Sequence, residues 1–109
     1  MTYGDLETEI RNATGDTSPD AFVGPVDLYR YLAEGQALVL ARRPELAFVA
    51  GTKTPATPAA DTTFPYDDRC AGLLRLYVSA QILGKLGGRR SDPKQSANLL
   101  QQFYANLGV

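Results

Sequence analysis

Few side chains in this sequence are suited to catalysis. The chain has no His and a single Cys, so Cys70 has no imidazole to activate it as a nucleophile. Cys70 also lies within an apolar helical pattern, where a buried and unreactive Cys is the usual finding. We therefore expect no catalytic residue, and we do not expect the protein to be an enzyme.

Two further groups of residues have the types needed to bind a ligand. Asp67 and Asp68 could coordinate a metal ion, but adjacent acids at the start of a helix usually interact with the helix dipole. Residues 84–90 combine three glycines with three basic side chains and could hold a phosphate. Their order is not that of a P-loop, in which the glycines lead into GK[ST]. A helix C-cap followed by a basic turn explains them better, so we expect no metal and no cofactor.

The composition is that of one soluble globular domain spanning residues 1–109. Hydrophobic residues make up 44% of the chain and charged residues 21%, and the formal net charge is −1. A chain so close to neutral has no general attraction for nucleic acid or for a membrane. Residues 1–20 contain no apolar signal-peptide region, and no apolar run is long enough to cross a bilayer. We expect a protein that works inside a cell, in a reducing compartment, with no membrane partner.

Charge is distributed unevenly along the chain. Residues 1–20 carry five acids and one Arg, a net charge of −4, whereas residues 85–94 carry four basic side chains and one acid, a net charge of +3. Two interpretations are open. Either these are two separate solvated regions, or they are complementary faces that meet between copies of the protein.

Helical periodicity and end signals predict four helices, at about residues 3–13, 25–43, 67–86 and 93–107. The fourth has the clearest start, with Asp92 as N-cap and Pro93 at the first helical position. The third is apolar on most sides, which is typical of a central helix. Its polar side chains include Arg69, Arg75, Ser79 and Lys85.

The apolar stripes of these helices predict the core. Its expected members are Leu28, Leu32, Val39, Leu73, Leu74, Tyr77, Val78, Ile82, Leu100, Phe103 and Leu107. Gly35 lies on the apolar face of the second helix and weakens that helix unless it allows close packing. The first helix is short and weakly apolar, so it is stable only if it docks on the rest.

Residues 47–66 form a long connection that is rich in Thr, Ala and Pro. Long connections of this kind in compact domains are usually functional. Residues 48–50 and 62–64 have the composition of short strands and could pair as a hairpin; the alternative is a mobile surface loop. The predicted fold is thus all-α: a small bundle of three to four helices with a long irregular or β-hairpin insertion between the second and third. Residues 1–20 form a peripheral arm or short helix.

The order and spacing of four stretches resemble the head–tail connector (adaptor) proteins of tailed bacteriophages. The first stretch is LYRYLAEGQALVLARRP, which ends in the basic pair before Pro44 and is followed by Glu45. The connection then ends in TTFPYDD, the third helix reads LLRLYVSAQIL, and the last helix reads SANLLQQFYANL. The resemblance runs from Asp27 to Leu107.

This resemblance implies a structural virion protein without catalytic residues. Such proteins form a homo-oligomeric ring, commonly of twelve copies, that docks on the portal protein and carries the tail or a stopper protein. DNA passes through the lumen of the ring without sequence-specific binding. The ring is assembled in the host cytoplasm and lies in the neck of the virion, between capsid and tail.

A ring requires two different faces on each subunit. The connection and the basic turn are the expected contact regions with neighbouring copies or partner proteins. The side chains expected at these interfaces are Phe48, Val49, Lys53, Phe64, Tyr66, Lys85, Arg89, Arg90 and Lys94. Exposed Phe48, Val49 and Phe64 are the main reason to assign contact to the connection.

The alternative function is a small helical DNA-binding or regulatory module that uses the basic turn 85–94. The fourth helix offers side chains that can contact bases or phosphates, namely Lys94, Gln95, Asn98, Gln101 and Gln102. The low net charge argues against this alternative. Salt-dependent DNA binding by the monomer would favour it, whereas rings of fixed copy number would favour the connector.

Overall fold

The computed structural model describes residues 1–16, 23–45, 57–66, 68–84 and 92–108. Over these ranges the chain forms four α-helices and no strand. The helices are α1 (Tyr3–Thr14), α2 (Pro25–Arg42), α3 (Asp68–Leu83) and α4 (Pro93–Leu107). The all-α prediction is confirmed, and each predicted helix lies within a few residues of its expected bounds.

Local capping explains where α4 begins and ends. The Asp92 carboxylate accepts a hydrogen bond from the backbone N–H of Gln95 at 3.1 Å, and Pro93 occupies the first turn. Gly108 ends the helix in the left-handed conformation, with φ 85°, which a residue without Cβ adopts readily. Both ends agree with the sequence prediction.

The start of α1 has a capping box that the sequence analysis did not identify. The Thr2 hydroxyl accepts from the backbone N–H of Asp5 at 3.1 Å, and the Asp5 carboxylate accepts from the Thr2 N–H at 2.9 Å. The hydrogen bonds to Thr2 also lower the pKa of the Asp5 carboxyl below its usual value.

Helix α3 is the central helix, because it contacts α1, α2 and α4. Leu74 and Val78 are fully buried within it. Ten of the eleven predicted core residues are buried, and the eleventh, Leu100, is partly buried against the core. The core also contains residues beyond the predicted set, most of them outside the three long helical stripes: Tyr3, Leu6, Ile10, Val23, Phe64, Tyr66, Ala71 and Cys70, whose burial was expected.

Gly35 lies where α2 passes closest to α3. A Cβ atom added there would lie 2.8 Å from Cδ2 of Tyr77 and 3.0 Å from Cδ2 of Leu74. Both distances are shorter than ordinary carbon contacts. Gly35 therefore allows the close packing that was expected to compensate for its weakening of α2.

Residues 60–64 run along the start of α1. The carbonyls of Thr62 and Ala60 accept from the N–H groups of Tyr3 (3.0 Å) and Gly4 (3.1 Å), and Thr63 forms an isolated antiparallel bridge with Thr2. Residues 62–64 therefore pair with the N-terminus, whereas the expected hairpin with residues 48–50 lies outside the described ranges and stays a prediction. Helix α1 is the short helix offered as one alternative for residues 1–20, and it is docked on the core.

No helix in the described part of the chain combines the length and the apolar character needed to cross a membrane.

Candidate functional site

A groove of about 510 Å³ lies beside α3. Its lining combines an apolar floor with basic side chains and consists of Arg43, Arg69, Gly72, Leu73, Arg75, Leu76 and Asn106. Grooves of this volume bind small ligands or a few side chains of a partner protein.

Helical spacing places the apolar floor of the groove, and Arg69 at its rim, on one face of α3. Residues 69, 72, 73 and 76 follow the i, i+3, i+4, i+7 pattern of a single face. Helix α2 instead packs at Leu74 and Tyr77, through Gly35. Helix α4 packs at Ala80, whose carbonyl accepts from the Ser96 hydroxyl at 2.6 Å. The groove is therefore a side of α3 that these two helices leave open.

Arg43 brings the end of α2 to the end of α4. Its Nε donates to the Leu107 carbonyl at 3.2 Å, and its Nη2 donates to the Asn106 carbonyl at 3.1 Å. These carbonyls belong to the last turn of α4, where the helix dipole favours a cation. Glu45 lies 3.5 Å from the same guanidinium. These contacts hold one basic side chain of the rim in place.

A second rim arginine is held by α1. Arg75 donates to the Glu9 carboxylate, and both side chains are partly exposed. Exposed ion pairs of this kind contribute little to stability, roughly 0–1 kcal/mol. Their main consequence here is positional, because Arg75 is kept at the edge of the groove.

The groove has the chemistry of a binding surface. Leu73 and Leu76 can bury an apolar side chain, and the guanidinium groups of the rim can pair with a carboxylate beside it. Within the described ranges, no group of three His, Cys, Asp or Glu side chains is placed to hold a metal ion. The sequence identified Arg69 and Arg75 only as polar side chains of α3. The groove also depends on where α2 and α4 end, at Arg43 and Asn106.

A second polar cluster joins α1 to the start of α2. Arg11 lies 3.0 Å from the Glu7 carboxylate and 3.6 Å from that of Asp16, and it donates to the Val23 carbonyl at 3.0 Å. The Tyr29 hydroxyl donates to Glu7 at 3.0 Å. Burial, and then this hydrogen bond, raise the pKa of Tyr29 to about 12. The cluster joins the two segments that flank residues 17–22, namely the end of α1 and the start of α2, so its role is structural.

Two more tyrosines link helices by hydrogen bonds. The Tyr3 hydroxyl donates to the buried Gln36 side chain at 2.6 Å, which joins α1 to α2. Burial is the main reason that the pKa of Tyr3 is raised. The Tyr77 hydroxyl lies 3.4 Å from Glu34; burial, followed by this carboxylate, raises the pKa of Tyr77. Both tyrosines stay protonated at neutral pH and serve as donors.

Phe64 and Tyr66 are buried in the subunit, at 8% and 5% exposure. The Phe64 ring packs edge-on against Tyr3 at 5.2 Å and against Tyr66 at 5.7 Å between centroids. The argument that an exposed Phe64 needs a partner is therefore wrong. A contact between these two residues and another subunit stays a prediction.

The remaining predicted interface residues are placed only in part. Lys94 is exposed in the first turn of α4. The others lie outside the described residues: Phe48, Val49, Lys53, Lys85, Arg89 and Arg90. Most of the connection and of the basic turn thus lies outside the described residues, and within those residues the groove is a different candidate surface.

Comparison with protein-family models, with curated proteins and with solved structures finds no match to this chain.

Proposed function

We propose that the chain is a head–tail connector of a tailed bacteriophage. It would form a homo-oligomeric ring on the portal protein, link the capsid to the tail or to a stopper protein, and let DNA pass through its lumen. The observation that carries this proposal is that the short motifs of the resemblance are also the residues that join the four helices.

The first such motif is the Gly-Gln pair of α2, which lies in the first resembling stretch, LYRYLAEGQALVLARRP. Gly35 lets α2 approach Leu74 and Tyr77 of α3, and Gln36 accepts the buried hydrogen bond of Tyr3. Neither role is apparent in a helix taken alone. The pair therefore specifies how α1, α2 and α3 meet, which supports a shared fold as the reason for the resemblance.

The Arg-Pro and Phe-Pro-Tyr motifs act in the same way. Arg43 joins the end of α2 to the last turn of α4. Phe64 and Tyr66 anchor the end of the connection beside Tyr3 in the core. The resemblance thus rests on residues with defined packing roles, and not only on a similar order of helices.

The direct test is the mass and symmetry of the purified assembly. The protein is studied by native mass spectrometry and electron microscopy, alone and with the portal protein encoded in the same genome. We expect a closed ring of fixed copy number, at least in the presence of the portal. A source genome without a portal gene, or a chain that never binds the portal, would contradict the proposal.

The connection can be tested without disturbing its anchor. Residues 60–64 hold the start of α1, so a replacement that extends to residue 62 would also disturb the segment whose backbone carbonyls accept from Tyr3 and Gly4. We therefore propose replacing residues 52–56 alone with a Gly/Ser sequence of equal length. If the connection contacts a neighbour or the portal, hydrogen exchange in residues 47–56 should slow on assembly, and the variant should fold but fail to assemble. Equal exchange in both states, together with normal assembly of the variant, would show a passive connection.

The basic turn provides a separate test of charge. Reversing Arg89 and Arg90 to Glu should weaken assembly more than folding if this turn meets an acidic face. Added salt should weaken the wild-type contact as well. Normal assembly of the double reversal at low and moderate salt would leave the turn as an ordinary solvated surface.

One observation favours the alternative of a DNA-binding module. Lys94, Gln95, Asn98, Gln101 and Gln102 are all exposed on α4, as a recognition helix would require. Titration of the monomer with duplex DNA at several salt concentrations separates the two functions. Tight binding that weakens steeply with salt would favour the DNA-binding module, because phosphate contacts release counterions.

A further inference from the structure

The first turn of α2 has the chemistry that the groove beside α3 can bind. Val26, in the first turn of α2, is 82% exposed, which makes it the most exposed large apolar side chain in the described ranges. Its neighbour Asp27 supplies a carboxylate. An exposed apolar side chain beside a carboxylate has the chemistry that an apolar floor with an arginine rim can bind.

This partner cannot come from the same copy. Val26 lies at the first turn of α2, whereas Arg43, at the edge of the groove, directly follows its last residue. A rise of 1.5 Å per residue separates the two positions by about 25 Å. Because α2 is a continuous helix, Val26 cannot fold back into the groove of its own chain.

We propose that the first turn of α2 in one copy binds in the groove of a second copy. Val26 packs on Leu73 and Leu76, and Asp27 pairs with the arginines of the rim. The two surfaces differ, so the contact is heterologous and each copy keeps one free surface of each kind. Repetition of this contact gives a chain of subunits, which closes into a ring if the rotation allows.

The electrostatics of the two surfaces are compatible with this contact. Asp27 lies 3.4 Å from Arg30 in its own helix, but that pair is exposed and therefore weak. The first turn of α2, which carries the positive end of its dipole, would also approach the last turn of α4, which carries a negative end.

The inference rests on the proposed function, because it supplies the contact between copies that a connector ring needs. It can nevertheless be tested without the portal. The self-association of the full chain is measured by sedimentation velocity over a range of concentrations. Val26→Asp is compared with Ala33→Asp, which adds the same charge at another exposed position of α2. We expect Val26→Asp to weaken association by about tenfold or more, and Ala33→Asp to change it little.

A disulfide test locates the contact directly. A Cβ added at Gly72 would meet only the Arg75 guanidinium, at 3.8 Å, so a Cys fits at this position. Chains carrying Val26→Cys and Gly72→Cys are purified separately, mixed and treated with a mild oxidant. Val26→Cys mixed with Ala97→Cys is the control, since Ala97 is exposed on α4. The unsubstituted chain controls for the buried Cys70. We expect the 26–72 dimer to form at least about tenfold faster than the 26–97 dimer.

A charge exchange tests the arginine rim. Arg69→Glu should weaken association, and Arg69→Glu combined with Asp27→Lys should restore it, because the pair is then reversed between copies. Equal rates of disulfide formation for both mixtures, or unchanged association of Val26→Asp, would overturn the inference.

The outcomes also separate this inference from the proposed function. A Val26→Asp chain that still forms normal rings on the portal would overturn the inference and leave the connector proposal standing. A specific 26–72 contact in a chain that never binds the portal would support the inference and contradict the connector.

Discussion

Replacing Gly35 by Ala should destabilise the protein, although Ala is the better helix former. Gly35 lies inside α2, away from both ends, so the substitution alone should stabilise the helix by about 0.8–1 kcal/mol. The new Cβ would meet Tyr77 at 2.8 Å and Leu74 at 3.0 Å. Both neighbours are buried in the core and have little room to move.

The magnitude follows from these two opposing effects. Overpacking of a well-packed core costs about 1–3 kcal/mol. Subtracting the gain in helix propensity leaves a net loss of roughly 0–2 kcal/mol in the free energy of unfolding. Gly72→Ala is the matched control, because Gly72 lies inside α3 and a Cβ there meets only Arg75, at an ordinary 3.8 Å. This control should stabilise the protein by about 0.5–1 kcal/mol.

Both variants can be compared with the wild type by urea unfolding of dilute protein, followed by far-UV circular dichroism. The informative quantity is the difference in the free energy of unfolding between the two alanine variants, because both gain the same helix propensity. We expect a difference of about 1–3 kcal/mol. Equal stabilisation by both substitutions would refute close packing of α2 on α3 at Gly35.

Three further predictions concern single side chains. Leu74→Ala removes a fully buried side chain of α3 and should cost about 2–5 kcal/mol in urea unfolding; a loss below about 0.5 kcal/mol would mean that α3 is not central. Arg43→Ala should cost about 1–2 kcal/mol and speed hydrogen exchange in the last turn of α4, whereas Arg42→Ala, at an exposed position, should stay within about 0.5 kcal/mol. The pKa of Tyr29 is raised to about 12 by burial and by Glu7, so its contribution to stability is complete below pH 10 and is lost as the pH rises towards 12. Unfolding measured between pH 9 and 12 should therefore show a shallower alkaline decline for Tyr29→Phe, and an unchanged decline would contradict this.

The helices were predictable because their signals are local. Asp92, Pro93 and Gly108 mark the ends of α4 through capping contacts that involve only near neighbours in the chain. The apolar surface of α3 identified the central helix for the same reason, since periodicity is read within one segment. Gly35 was recognisable as a site that needed compensation, and the structure supplies Tyr77 as its neighbour.

The contacts that the sequence did not predict join residues far apart in the chain. Residues 62–64 had the composition of a strand, but nothing local indicated that they pair with the N-terminus. The position of Phe64 in the core follows from that pairing, so its exposure was misjudged. The groove depends on the reach of Arg43 across to α4, and side-chain reach leaves no periodic signal in a sequence.

The residues of the resemblance and the residues of the proposed contact between copies differ in exposure, so the fold and the function can be tested separately. Gly35, Arg43 and Phe64 belong to the motifs of the resemblance, and each packs or hydrogen-bonds within the subunit. Substituting them should reduce stability, and any loss of assembly would follow from the loss of folding. Val26 and Arg69 are exposed, so their substitution should leave the fold intact. A connector whose ring uses the groove should therefore lose assembly without loss of stability in the exposed variants, and should lose the two together in the motif variants.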